Sequence, residues 1–155
     1  MIQALLLANE GAVATDNVAL AILGLTLCVV LCGAGSIFGL WFTGSAASGV
    51  LAEDSKKFSK VLVLVVLPAT QGIYGFVLAV MKIGSIGAGW ATFGAMIGLG
   101  ITGMASAILQ GITAASCIYA IGKNAAGSGK YVLFPAMIEF YAILALVLGI
   151  MIPVA

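Results

Sequence analysis

LPATQGIYGF at residues 67–76 and FPAMIEFYAI at residues 134–143 can be laid one on the other, with Pro68 on Pro135, Ala69 on Ala136 and Tyr74 on Tyr141. Each lies in an apolar run long enough to cross a bilayer, about twenty residues. Each is preceded by another such run, where GSIFG at 35–39 falls on AILQG at 107–111. The chain therefore reads as one helical hairpin used twice. Because each copy crosses twice, both copies point the same way, a parallel repeat rather than an inverted one.

Working outward from these segments gives four apolar runs, at 18–43, 60–82, 90–121 and 131–153. The expected fold is an all-α membrane protein of four transmembrane helices in two duplicated hairpins. The expected division is an N-terminal arm 1–17, a first hairpin 18–82, an outer connection 83–89 and a second hairpin 90–155. The apolar stretch 1–8 has no basic segment before it and is too short for a secretory leader with its cleavage site, so the N-terminus is read as mature. The third run, at about 1.5 Å per residue, exceeds a hydrocarbon layer of roughly 30 Å and should protrude.

Composition agrees. Of 155 residues 63% are hydrophobic and 7% charged, against about 25% charged in soluble domains, and the mean hydropathy is +1.28. Six Lys and no Arg stand against five acidic residues, for a net charge of +1, which excludes nucleic acid as a partner because nothing here could neutralise a row of phosphates. There is no His, and the three cysteines, Cys28, Cys32 and Cys117, make no zinc or haem ligand set. Cys28 and Cys32 share a helix face and read as small apolar packing. The Gly33-Ala34-Gly35 segment is no nucleotide fingerprint, since no strand precedes it.

Lysines set the expected orientation. Lys56, Lys57, Lys60, Lys123 and Lys130 flank the connections 44–59 and 122–130, while only Lys82 lies near the middle one. By the positive-inside rule the first and third connections are cytoplasmic and both termini are outside. The N-terminal arm, with Glu10 and Asp16 and no basic residue, fits that side.

Glu139 is the one acid deep inside a run, roughly 13 Å along a helix from Lys130 at about 1.5 Å per residue. A carboxylate at that depth is costly to keep ionised and marks a functional site by default. Thr70 and Gln71 follow Pro68 in the second run and Gln110 lies in the third, each a neutral oxygen donor in apolar surroundings. A small hard cation such as sodium takes several such oxygens with one negative charge. Pro68 removes the helical donor to the Leu64 carbonyl and loosens the turn that aims the Leu67 carbonyl toward Thr70 and Gln71. Leu67, Thr70, Gln71 and Tyr74 share a stripe at helical spacing, from which the Tyr74 hydroxyl could reach Glu139. Singly, Thr70 and Gln110 also fit plain hydrogen bonding between helices. In the first copy Gly72 stands where Glu139 stands in the second, and Phe38 where Gln110 stands. The chain thus has one intramembrane acid per four helices.

Small residues at Gly33, Gly35 and Gly39, and at Gly94, Gly98, Gly100, Gly103, Ala107 and Gly111, let helix backbones approach closely. They suit either an inner layer between chains or packing within one chain.

LPATQGIYGF, AILQG and PAMIEFYAIL together resemble the proteolipid ring subunit of bacterial V-type (A/V-type) rotary ATPases, known as the c or K subunit, over essentially all four spans. The Pro-Ala-Thr-Gln-Gly-Ile-Tyr-Gly pattern is similar to the sodium-transporting branch; in proton-pumping relatives the Thr-Gln pair is typically replaced by non-ligands. The resemblance implies a sodium site of the Glu139 carboxylate, the Thr70 hydroxyl, the side-chain oxygens of Gln71 and Gln110 and the Leu67 carbonyl, with Tyr74 bonding to Glu139. It implies a ring of identical subunits in a bacterial plasma membrane, lipid in the ring's middle, a stator subunit supplying an Arg, and central-stalk subunits. The chain is then a transport component without a nucleotide site, with sodium as transported ligand and no cofactor. The alternatives are a proton-carrying ring subunit of the same class, a small four-helix cation-coupled exporter, and a purely structural four-span protein. Exporters of that kind carry their acid in the first helix of a shorter, unduplicated chain, and a structural protein has no need of Glu139 amid Thr and Gln.

Overall fold

The computed structural model of the chain describes residues 2–153 other than 125 and 127, and not the side chains of 4–10, 12, 13 and 85. The Glu10 side chain and residues 154–155 of the second hairpin therefore lie outside the described residues. Helix α1 spans Ile2–Glu53, α2 Phe58–Val66, α3 Thr70–Lys82, α4 Gly89–Lys123, α5 Ser128–Tyr131 and α6 Leu133–Met151. Short 3-10 turns at Ser55–Lys57, Leu67–Ala69 and Ile83–Ala88 join α1 to α2, α2 to α3 and α3 to α4. No strand occurs among the described residues. The four spans are α1, α2 with α3, α4, and α6, each long and apolar enough to cross a membrane.

Two expectations shift. Residues 2–17, expected as an arm, continue the first helix without a break, and residues 44–53, expected as connection, close it. The stretch GSAASGVLAE reads as loop by its Gly and Ser, yet Ala is the strongest helix former and each Gly costs only about 1 kcal/mol. Tertiary packing outweighs that cost. Ala46, Ala47 and Val50 are buried against Ala114, Cys117, Ile118 and Ile121 of α4, with Val61 and Leu64 of α2. The true connection is only residues 54–57, where Asp54 accepts the Lys56 N–H at 3.0 Å and caps the turn. At about 1.5 Å per residue, α1 with 52 residues greatly exceeds the roughly 30 Å hydrocarbon layer.

The ends of the molecule fix the topology. Lys57 Nζ donates to the Gly122 carbonyl at 2.8 Å, so the first and third connections meet at one end. At the other end the buried Lys82 donates to the Ile152 and Ile150 carbonyls at 2.7 and 3.3 Å, a cation on a helix C-terminus. The two hairpins are therefore parallel copies.

α1 packs chiefly on α4, and the outer pieces α2, α3 and α6 lie against this pair. Glycine makes the central contact. A Cβ on Gly35 would stand 2.6 Å from the Met104 Cα, and one on Gly111 would run into the Gly39 backbone. Gly33, Gly94 and Gly98 instead face open space. The small-residue stripe is thus divided, one part closing the chain's own α1–α4 pair and the other left on its surface. Cys28 and Cys32 are buried free thiols; Cys32 fills the space left by Gly75 and Gly103.

Candidate ion-binding site

Pro68 positions the site. It has no N–H for the Leu64 carbonyl, and the chain tightens there into the Leu67–Ala69 turn, after which the Thr70 N–H bonds to the Leu67 carbonyl. Thr70 Oγ1 donates to that same carbonyl at 2.9 Å and lies 3.3 Å from Gln71 Oε1. From α1 the buried Thr43 hydroxyl donates to the Val65 carbonyl at 2.9 Å, which ties this irregular segment to the central pair.

Gln71 and Gln110 are both fully buried and bonded to each other, Gln71 Nε2 donating to Gln110 Oε1 at 2.7 Å. Gln110 Nε2 donates to the Pro135 carbonyl at 3.1 Å and to Glu139 Oε2 at 3.4 Å. The Tyr74 hydroxyl donates to Glu139 Oε1 at 2.6 Å. A continuous polar chain thus runs from Leu67 through Thr70, Gln71 and Gln110 to Glu139 and Tyr74, across α3, α4 and α6. Glu139 and Tyr74 are half-buried, at the edge of a surface bearing exposed Ile73, Met137, Phe140 and Tyr141.

All residues singled out from the sequence come together here, with one difference of orientation. Gln110 turns its amide nitrogen, not its oxygen, to Glu139, because the Pro135 carbonyl beside it can only accept. The sequence reading missed Ser106. This buried hydroxyl stands one turn before Gln110, 3.3 Å from Gln71 Nε2 and 3.1 Å from the Ile138 carbonyl. Its signal was the four-residue spacing to Gln110, hidden among other small residues of α4.

Among the described residues the first hairpin has no such cluster. The Gly72 N–H donates to Ser36 Oγ of α1 at 2.9 Å, and a side chain at Gly72 would meet that same serine. Phe38, in Gln110's place, is exposed.

Fold and site define a class of protein: an integral membrane protein of two parallel hairpins, with one carboxylate held among hydroxyl and amide groups. Sequence comparison gives the family. The family of the ATP synthase C subunit matches twice, at residues 23–82 and 93–152, and the chain belongs to it. The two copies are the two hairpins. The chain is 36% identical over 135 residues to "V-type sodium ATPase subunit K" of Enterococcus hirae, covering 83% of this chain and 86% of that one. It is also 36% identical over 138 residues to "A-type ATP synthase subunit K" of Methanocaldococcus jannaschii, covering 88% of this chain and 62% of that longer one.

Proposed function

We propose that this chain is the rotor-ring subunit of a sodium-translocating V-type ATPase. Glu139 carries the ion together with the Leu67 carbonyl, Thr70, Gln71 and Gln110, while Tyr74 steadies the carboxylate and Pro68 shapes the turn. The observation that carries this reading is the unbroken polar chain from Leu67 to Glu139 between apolar helices, and the Enterococcus relative's name agrees with it.

Charge explains the work. Glu139 with a bound cation is neutral and can pass lipid, whereas the empty carboxylate needs a cationic partner or meets a penalty of several kcal/mol. The family resemblance assigns that partner to an Arg of a stator subunit, this chain having none of its own. Rotation past the stator exchanges the ion between two half-channels, and torque comes from catalytic subunits through a central stalk. The working units are hairpins 18–82 and 90–155, joined by 83–89, in identical copies closed into a ring with lipid inside it. The ring lies in a bacterial plasma membrane with its termini outside.

Selectivity for sodium over protons rests on the neutral oxygens, which replace the hydration shell a metal ion sheds and offer nothing a proton needs. Changing Thr70→Ala, which removes an oxygen that makes no bond to Glu139, is expected to weaken sodium binding to purified rings while leaving proton binding nearly intact. Because the two ions compete for one carboxylate, the measurement is made across several pH values. Equal binding of sodium and potassium at mildly alkaline pH, or ATP-driven transport indifferent to sodium, would establish the proton-carrying alternative.

Orientation has its own check. Single cysteines at Ser55 and Ser128 are expected to react with impermeant reagent from the cytoplasmic side and one at Gly84 from the opposite side. Reaction of Ser55→Cys and Gly84→Cys from one face would require an even number of crossings between them and would overturn the four-span topology.

A further inference from the structure

We infer that Ser106 is a positioning residue for the ion site, fixing which way the Gln71 amide points so that its oxygen is presented toward Thr70 and the Leu67 carbonyl. The inference deepens the sodium-carrier reading and rests on it.

The argument is one of hydrogen-bond polarity. A backbone carbonyl can only accept, so the single proton of the Ser106 hydroxyl goes to the Ile138 carbonyl, 3.1 Å away. What the hydroxyl then presents to Gln71, at 3.3 Å, is a lone pair. Only an amide nitrogen can meet it. On the other side the Pro135 carbonyl claims the Gln110 nitrogen, so Gln110 also offers Gln71 an oxygen, at 2.7 Å. Two acceptors on α4 thus hold both protons of the Gln71 amide. Its oxygen is turned away from them, toward the Thr70 hydroxyl at 3.3 Å. The polarity of the network is set by two carbonyls of α6, Pro135 and Ile138, the second adjacent in sequence to Glu139. Ser106 converts the acceptor at Ile138 into an acceptor for Gln71, and no apolar residue of its size can do so.

Burial makes the choice matter. Gln71 is fully buried and Ser106 nearly so, so a flipped amide would set oxygen against oxygen at Gln110 and draw the Ser106 proton away from the Ile138 carbonyl. Removing the Ser106 hydroxyl deletes one of the two constraints on that flip. Ser106 makes no bond to Glu139 in the structure. Its effect should therefore appear in cation binding and not in protonation of the carboxylate.

The test uses assembled rings in mild detergent and reads sodium protection of Glu139 against a hydrophobic carbodiimide, with sodium-free labelling followed across pH. Ser106→Ala is expected to raise the sodium concentration for half-protection about three- to tenfold, the size of a neutral hydrogen bond, with the sodium-free pH profile unmoved. In a Gln71→Ala background the same substitution is expected to add nothing further. If Ser106→Ala rings do not assemble, Ser106→Cys, similar in shape and only a weak donor, is read in the same way. Unchanged protection in Ser106→Ala, an equal loss in both backgrounds, or a shifted sodium-free profile overturns the positioning role while leaving the sodium site standing. Unchanged protection in Gln71→Ala alone removes Gln71 from the ligand set, and the role of Ser106 with it.

Discussion

Glu139→Gln is expected to abolish sodium transport by the assembled enzyme and to leave the ring intact. The substitution keeps shape and hydrogen bonding. An amide oxygen can still accept from Gln110 Nε2, which lies 3.4 Å from Glu139 Oε2, and an amide nitrogen can donate to the Tyr74 oxygen, whose hydroxyl now stands 2.6 Å from Oε1. What disappears is the negative charge, the only one within the spans apart from those at their ends. Breaking a buried ionic contact by removing one partner costs about 3–5 kcal/mol, so sodium binding should fall by a factor on the order of a hundred or more. Loss of transport in rings of normal size would therefore be a loss of charge and not of structure. The measurements are ATP-driven sodium uptake into sealed vesicles and ring size in mild detergent. Uptake that survives the substitution would show that the ion travels on some other group.

Much of this was legible in the sequence because the bilayer imposes simple demands. A span must be apolar for about twenty residues, and an acid left inside one must have a reason. The pairing of Pro68 with Pro135 and Tyr74 with Tyr141 carried the repeat. Less legible were the helix ends. Residues 44–53 have the glycine and serine content of a loop, and they are helical because Ala46, Ala47 and Val50 are buried by α4, a partner more than sixty residues away in sequence. Hydropathy measures what can lie in lipid, not where a helix stops.

The hydroxyls were hidden for a related reason. Ser36, Thr43 and Ser106 lie among Gly and Ala, where a small polar residue reads as packing. The structure distinguishes them. Ser48 and Ser116 bond only to their own helix in the contacts described, whereas Ser36, Thr43 and Ser106 each reach another helix. The partner decides the role, and sequence spacing within one helix cannot name a partner on another. The glycines follow the same rule: Gly33 and Gly35 are two residues apart, yet one faces open space and the other faces Met104.

That division leads to the second large effect. Gly39→Val is expected to prevent ring assembly. A Cβ at Gly39 would stand 2.6 Å from the Ala107 carbonyl oxygen and 2.6 Å from the Pro68 Cβ, far inside van der Waals contact, and valine adds two further carbons. Neither neighbour can yield cheaply. Ala107 is on the α4 backbone that Gly39 and Gly111 hold close to α1, and Pro68 is the middle residue of the turn that places Thr70 and Gln71. Overpacking of this kind costs about 1–3 kcal/mol when side chains can adjust, and more where the obstacle is backbone. The strain would pass in both directions, separating α1 from α4 and pushing the Leu67–Ala69 turn away from Gln110. Gly84→Ala supplies the control, since nothing lies within 4 Å of a Cβ there. Size in mild detergent and thermal unfolding measure the outcome: Gly39→Val should give no closed ring and an early transition, Gly84→Ala a ring of normal size. A Gly39→Val ring that assembles and unfolds at the unsubstituted temperature would mean that the α1 and α4 backbones do not meet at Gly39.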